Sequence, residues 1–464
     1  LNSQRPPRSS AAATPPPAAG LGTWPRPAYA WYVVALLVLA YAFGVLDRIV
    51  MSLLVKPIKS DLHLSDAQIG YVQGFAFALF NSIFTIPVGV AIDRWKRLPI
   101  MWVGLALWSA ATVASGLSKA FSSLFLARVV MGAGEATTVP GSASLIADCF
   151  PPVLRPRAYG VFTMGGSIGI GLAYVFGAIA ISTASDLRRA LPALLGGYSQ
   201  WHIVFFMVGA PGLALAALMA LTLHEPPRRG AFSASGSWSL RPLAEELGTN
   251  RGALTAVMLG SIMNVMIINA QLAWFPTLFE RVYDWAPART AFWLGWLGLP
   301  LGLGSALTAG WLLSALAQRG RRDGPVLIMM LQCVSWALFG TLKCLAPTPV
   351  WSLGLHVLTS LTATWALTAT FSALNEVTPN QLRGQVVAVY AVISALVATA
   401  VGPAVVGLLS DHVFTAPTGI APSLASINLV GGLVGVAVLV HGRHAFERAV
   451  ERARDWGELP RNSV

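Results

Sequence analysis

Twelve stretches of apolar sequence, each long enough to cross a bilayer, follow one another along this chain, parted by short breaks rich in charge, proline or glycine. They run approximately over 31–55, 67–92, 99–118, 122–148, 158–184, 201–223, 253–280, 287–316, 325–346, 350–376, 384–410 and 424–441. One crossing needs about 20 apolar residues, so the 55% of 464 residues that are apolar feed about a dozen helices with little left over. Charged residues make up 11% of the chain, against roughly 25% in a soluble protein. That excludes a large extramembrane catalytic or binding domain. The expected fold is all-α: a polytopic membrane protein of twelve helices.

The one long polar interior stretch, 225–251, divides the spans into near-equal halves. We expect a six-helix bundle over 31–224, a linker over 225–251, a second bundle over 252–442, and tails over 1–30 and 443–464, the first of them disordered. Lys and Arg accumulate on the cytoplasmic side of membrane proteins. With the termini on that side, 21 basic residues fall there and 8 on the other, where Lys343 is placed in a loop. Both termini, the linker and the tails are thus expected to be cytoplasmic, in a plasma (bacterial inner) membrane. The net charge of +12 then reports topology, and no nucleic acid partner is expected. Cys149, Cys333 and Cys344 stand at unrelated spacings in apolar surroundings and are expected to be buried thiols, neither bridged nor metal-bound.

The halves repeat. Asp148-Cys-Phe-Pro-Pro-Val-Leu-Arg155-Pro-Arg157 aligns with Glu376-Val-Thr-Pro-Asn-Gln-Leu-Arg383-Gly-Gln385 at an offset of 228, with an acid, a proline, a leucine and an arginine in register. Both copies lie on the same side, so the repeats are parallel and the axis relating them runs along the membrane normal. Two bundles flanking a central path are expected.

Charges inside the spans are few: Asp47 and Arg48 in the first, Arg128 and Glu135 in the fourth. Arg128 and Glu135 are two helical turns apart, about 10 Å along one face. Ionisable groups in hydrocarbon cost at least a few kcal/mol each and are expected to face a cavity or one another. A carboxyl in a partly dehydrated space can gain or lose a proton as water access changes. Asp47 and Glu135 are therefore candidates for proton coupling. The second half carries no equivalent mid-helix charge, so coupling is expected in the first half only. Asn264, Asn269 and Gln271 in the seventh span and Thr359, Thr362, Trp365 and Thr368 in the tenth are weaker candidates for the substrate path.

Three motifs carry a family resemblance. Gly89-Val-Ala-Ile-Asp93-Arg94-Trp-Lys96-Arg97 resembles the G-x-x-x-D-R-x-G-R-[KR] loop of the major facilitator superfamily, with Lys96 where the family has glycine. Its counterpart keeps Gly310 but has Ser314 for the acid. Arg128-Val-Val-Met-Gly132-Ala-Gly134-Glu135-Ala136 resembles the R-x-x-x-G-x-G motif of the fourth helix. Together with Asp47-Arg48, Arg155 and Arg157, these residues resemble the spinster-like branch, including bacterial members, across roughly 30–442. The resemblance implies transport of sphingosine 1-phosphate-like or lysophospholipid-like amphiphiles, with protons driving bacterial members, and export as the direction. It implies Asp47 and Glu135 as protonation sites and Arg48 as an element of the path, beside Arg128, Asn264, Asn269, Thr362 and Trp365. Gating falls to Gly89, Asp93, Arg94 and Arg97, and with them Arg155, Arg157 and Arg383.

The second reading is a proton-coupled carrier of small organic anions or drugs, with Arg48 or Arg128 pairing with a carboxylate. Gly165-Gly-Ser167-Ile-Gly169 satisfies the serine-hydrolase pattern, but that chemistry needs a strand-to-helix turn, and here the motif falls inside a span. No phosphate-binding G-x-x-x-x-G-K-[ST], H-E-x-x-H or C-x-x-C occurs. The chain is expected to be a monomeric transporter and no enzyme, with no cofactor or metal, and with an amphipathic solute, protons and the bilayer as its partners.

Overall fold

The computed structural model describes residues 24–151, 154–228, 247–379 and 382–455; the expected tail over 1–23, most of the linker and the chain end lie outside them. All regular structure among the described residues is helical. Eleven membrane helices are continuous enough to recognise by length and hydropathy: α1 (Pro27–Leu53), α2 (Asp66–Ile92), α3 (Arg97–Ser115), α5 (Arg157–Ala190), α6 (Gln200–Thr222), α7 (Arg251–Val282), α8 (Pro287–Gln318), α9 (Gly324–Cys344), α10 (Pro349–Val377), α11 (Gln385–His412) and α12 (Ile420–Ala453). The twelfth, α4, is two shorter helices, Phe121–Glu135 and Thr138–Cys149.

The break in α4 falls immediately after Glu135, at Ala136-Thr137, where the Thr137 hydroxyl donates to the Gly134 carbonyl at 2.9 Å. Its repeat partner α10 is broken at the same depth, between Pro349–Ser360 and Trp365–Val377. The repeat extends to single bonds: Arg155 Nε donates to Phe150 O and Arg383 Nε to Thr378 O, each at 3.1 Å and at the offset of 228. Three helices carry a wide π-turn: α2 at Tyr71–Phe75, α9 at Trp336–Gly340 and α11 at Ser394–Thr399.

In the first bundle α1 packs on α5, α3 on α6, and α4 on α2 and α3; in the second α7 packs on α12 and α11, and α9 on α10 and α12. The bundles meet along α2–α11 and α5–α8. Trp108 and Trp201 fill the first bundle and Trp274 the second, all fully buried. The three cysteines are buried free thiols, as expected. Gly165 to Gly169 lie within the long helix that contains α5, as expected; the Ser167 side chain lies outside the described residues.

Two expectations are corrected. The last helix does not end near 441 but continues to Asp455, 36 residues in all, about 54 Å against a hydrocarbon core of about 30 Å. Its final turns pack against the second bundle: Phe446 and Ala449 are fully buried, Arg443 pairs with Asp323 at 2.8 Å and Arg452 donates to Asn250 Oδ1 at 2.6 Å. Lys343 is not in a loop. It lies in α9 and is fully buried, so the second half does carry a charge inside its bundle. A hydropathy boundary marks where a helix leaves lipid, and neither packing beyond that point nor an inward-turned side chain registers in it.

On the face that carries the termini, Arg97 knits the first bundle together. It pairs with Asp148 of α4 and with Glu225 at 2.7 Å, and donates to Pro226 O at 3.0 Å. On the opposite face, Asp61 of the short helix Val55–Leu62 accepts from Trp201 Nε1 at 2.7 Å. Burial pushes the Asp61 carboxyl up, but hydrogen bonds from Ser199 and Trp201 outweigh it and hold the group below the usual carboxylate range.

Arg97→Met takes the charged partner from two carboxylates and is expected to cost about 3 kcal/mol, read as a lowered melting temperature of the detergent-solubilised chain. Asp61 has a depressed folded value, so its contribution is present above about pH 4 and is lost as pH falls below that. The acid limb of a melting-temperature profile is therefore expected to flatten in Asp61→Asn.

Candidate translocation site

Successive residues on a helix point about 100° apart, so Asp47 and Arg48 face different surroundings. Asp47 turns into the bundle and is 2% exposed. Its Oδ2 accepts from Thr112 of α3 at 3.0 Å, and its Oδ1 has no partner among the described residues. Arg128 reaches the Asp47 backbone carbonyl, not its carboxylate, at 3.2 Å, and lies over the Phe205 ring at 5.4 Å. Its Nε and Nη2 are likewise without partners.

Arg48 turns the other way, a third exposed, and pairs with Glu135 Oε1 at 3.2 Å. Its Nε donates to Gly44 O at 3.3 Å, and the guanidinium lies over Phe77 at 5.0 Å. A Cβ at Gly44 would stand 3.0 Å from the Glu135 carboxyl carbon, so the missing side chain is what admits the carboxylate. The four charges thus form two units: Asp47–Thr112–Arg128 inside the bundle, and Arg48–Glu135 at its inner surface. Arg128 and Glu135, in register on α4 by spacing, have separate partners.

The second unit opens on a cavity of about 410 Å³ between the bundles, lined by Tyr41, Val45, Arg48, Gln73 and Phe77 on one side and Asn269, Leu272, Thr364, Leu367 and Pro403 on the other. Of the candidates from the second half, Asn269 lines it, with its amide donating to Val265 O at 2.9 Å. Asn264 is buried and bonded to Gly260 O at 2.9 Å and Cys333 Sγ at 3.0 Å. Thr362 donates to Thr359 O at 3.0 Å, and Trp365 Nε1 to Thr308 of α8 at 3.0 Å; none of these three lines the cavity. Gln73 and Thr364 do, and were missed. Each sits at an irregularity, the π-turn of α2 and the break of α10, which turns it out of the helical register that spacing assumes.

On the termini face lie the residues expected to gate. A Cβ at Gly89 would meet nothing within 4 Å, and Arg94 and Arg157 are exposed; the Asp93 side chain lies outside the described residues. Arg97, Arg155 and Arg383 bond within their own halves.

On the opposite face the bundles are latched. Arg281 of α7 donates Nη1 to Asp66 Oδ2 and Nη2 to Oδ1, each at 2.6 Å. Lys59 adds a bond to the same carboxylate at 2.7 Å and Ser410 of α11 another at 2.7 Å. Asp411 caps the start of α2 in return, accepting from Asp66 N at 3.0 Å and Ala67 N at 2.6 Å. The backbones there nearly touch: a Cβ at Gly70 would lie 2.6 Å from Pro403 O. Sequence reasoning missed this latch, because Asp66 and Arg281 are 215 residues apart and each reads alone as a solvated helix end.

Residues 37–403 match the model of the Major Facilitator Superfamily. An MFS-type efflux pump of Mycolicibacterium smegmatis is 33% identical over 220 residues, 46% of this chain and 48% of that protein. Protein spinster homolog 1 of Xenopus tropicalis is 31% identical over 199 residues, 42% of this chain and 35% of that one. The matches thus span about half or less of these relatives' lengths. A probable galactarate/D-glucarate transporter of Bacillus subtilis is 26% identical over 336 residues, 65% of this chain and 70% of its own. Among solved structures, a bacterial homologue of the human lysosomal transporter spinster, in an inward-facing and unoccupied conformation, superposes with a TM-score of 0.76 at 24% identity over 93% of this chain and 99% of that one. Its likeness is one of fold. Membrane helices in two parallel-repeat bundles around a central cavity among the described residues, and a family match over most of that core, establish that the chain belongs to the Major Facilitator Superfamily, with spinster homologues among its relatives.

Proposed function

We propose that the chain carries lysophospholipid- or sphingolipid-like amphiphiles across a bacterial inner membrane by alternating access, driven by protons. The observation that carries this reading is the pairing of a charged surface, Arg48–Glu135, with a largely apolar wall in one inter-bundle cavity. An amphiphile with a charged head and a hydrocarbon tail matches both. The positive-residue bias puts the termini in the cytoplasm, so a latched opposite face reads as the inward-facing state, the conformation in which the bacterial spinster homologue was solved. Proton coupling rests on Asp47 and Glu135, each with one buried carboxylate oxygen that no group among the described residues satisfies. Gly89, Asp93, Arg94, Arg97, Arg155, Arg157 and Arg383 fall on the face that must close in the other half of the cycle. The second reading, a carrier of small organic anions, is favoured by the exposed guanidinium of Arg48 and by the sugar-acid transporter among the relatives.

Uptake into proteoliposomes under an imposed proton gradient separates the two. Labelled lysophosphatidylcholine is expected to be transported, and glucarate and a cationic dye are not; transport of glucarate alone establishes the second reading. Asp47→Asn and Glu135→Gln are expected to abolish gradient-driven transport while leaving the melting temperature within a few degrees. Full pH-dependent transport in both variants refutes their role.

The latch generates a separate expectation. Asp66→Asn takes the carboxylate from Arg281 on one face only, and is expected to raise maleimide labelling of a cysteine at Ala273 from the latch side by roughly tenfold or more. Labelling is measured with the three native thiols replaced. The exchange of Asp66→Arg with Arg281→Asp is expected to restore protection.

A further inference from the structure

A lysine near the end of a membrane helix ordinarily extends its ammonium to the nearest water. Lys343, one residue before the end of α9, does the opposite. It is fully buried, with Nζ 3.3 Å from Thr359 Oγ1 and 3.4 Å from His356 Nδ1. Thr359 lies ten residues inside α10, about 15 Å along its axis, so the ammonium points toward the bilayer centre. The rings of Phe275 on α7 and Trp336 on α9 close over it at 4.4 and 4.8 Å. His356 stacks on Phe275 at 5.0 Å and turns Nε2 to Ser360 Oγ at 3.3 Å. With Nδ1 accepting from the ammonium, Nε2 carries the imidazole proton. The π-turn Trp336–Gly340 immediately precedes the lysine and shifts its helical register, and Asn428 satisfies the Gly340 carbonyl at 2.7 Å. Such turns recur at functional sites.

Among the described residues this cage has no anion. Its polar partners are a hydroxyl and an imidazole, its covering groups are two rings, and Cys344 stands beside it in the chain. A buried cation so equipped is costly and marks function by default. Its position is not arbitrary either. The offset of 228 carries Asp47 onto Phe275, Trp108 onto Trp336 and Arg128 onto His356. The cage therefore occupies in the second bundle the place of Asp47–Thr112–Arg128 in the first, with the carboxylate missing. Two of its walls, α7 and α10, also line the central cavity through Leu272 and Ala273 and through Thr364 and Leu367. Helix α7 further carries Arg281 of the latch.

We propose that Lys343, with Thr359 and His356, is an anion subsite for the acidic group of the cargo, a phosphate or a carboxylate, uncovered when the latch releases and α7 and α10 part on that face. This rests on the transporter reading and sharpens it: amphiphiles with a net negative head are carried in preference to zwitterionic ones.

The test has two arms on the full chain in proteoliposomes. In the first, a water-soluble acetylating reagent is applied and modified lysines are mapped by mass spectrometry, with Lys56, Lys96 and Lys119 as internal references. Lys343 is expected to be protected in the wild type and acetylated in Asp66→Asn, whose opening the Ala273 labelling reads independently. Protection in the opened variant overturns the subsite, whatever the cargo. In the second arm, labelled lysophosphatidylglycerol and lysophosphatidylcholine are compared as anionic and zwitterionic probes. Lys343→Met is expected to lower the ratio of their kcat/KM values by about tenfold, the scale of one charged hydrogen bond, and Lys343→Arg to restore it. An unchanged ratio, with or without a fall in melting temperature, makes the lysine a packing residue and overturns the proposal. If the wild type moves neither lipid, the lipid reading fails by itself, and the acetylation arm still decides the site.

Discussion

Hydrocarbon offers a charge neither water nor counter-ion, and the architecture is arranged around the few charges that enter it. Most of the charged residues among the described ones end helices, cap them or lie outside the apolar spans. Those inside are held in clusters that cross helices: α1 with α3 and α4 through Asp47, α1 with α4 through Arg48, and α9 with α10 and α7 through Lys343. Each cluster ties together helices that apolar packing alone would leave free to slide. The two clusters of the first bundle also leave polar atoms without a partner among the described residues, as at Asp47 Oδ1 and Glu135 Oε2, a cost that a purely structural cluster would be expected to avoid.

The contact between the bundles is lopsided. At the latch end it combines a twofold Arg281–Asp66 bond, a reciprocal cap from Asp411, and backbones close enough to exclude a Cβ at Gly70. At the other end the glycine and arginines of the superfamily loop have no inter-bundle partner among the described residues. Two bundles joined firmly at one rim enclose a cavity between them. The π-turns of α2 and α11 lie at this seam, where they bring Gln73 and Thr399 to the cavity wall.

How much could be read beforehand differs by feature. Periodic apolar runs located the helices, because each crossing is a local fact about some 20 consecutive residues. Asp47, Arg48, Arg128 and Glu135 stood out for the same reason, as charges where none is expected. Asn264, Thr362 and Trp365 were indistinguishable by type from Asn269, yet only Asn269 reaches the cavity, because a polar residue's direction depends on where its helix kinks and what packs behind it. Lys343 was assigned to a loop because its neighbours in sequence mark a helix end; that its side chain turns inward depends on Thr359, His356 and Phe275, which lie elsewhere in the chain.

The amino-acid order by itself therefore determined the solvent, the number of crossings, the parallel repeat and the superfamily, all of which follow from local composition and spacing. Only the tertiary structure decided which charges pair, which face is shut, and which polar residues meet the cavity. Those depend on contacts between residues such as Asp66 and Arg281, 215 positions apart, whose energy exists only once two bundles have been brought together.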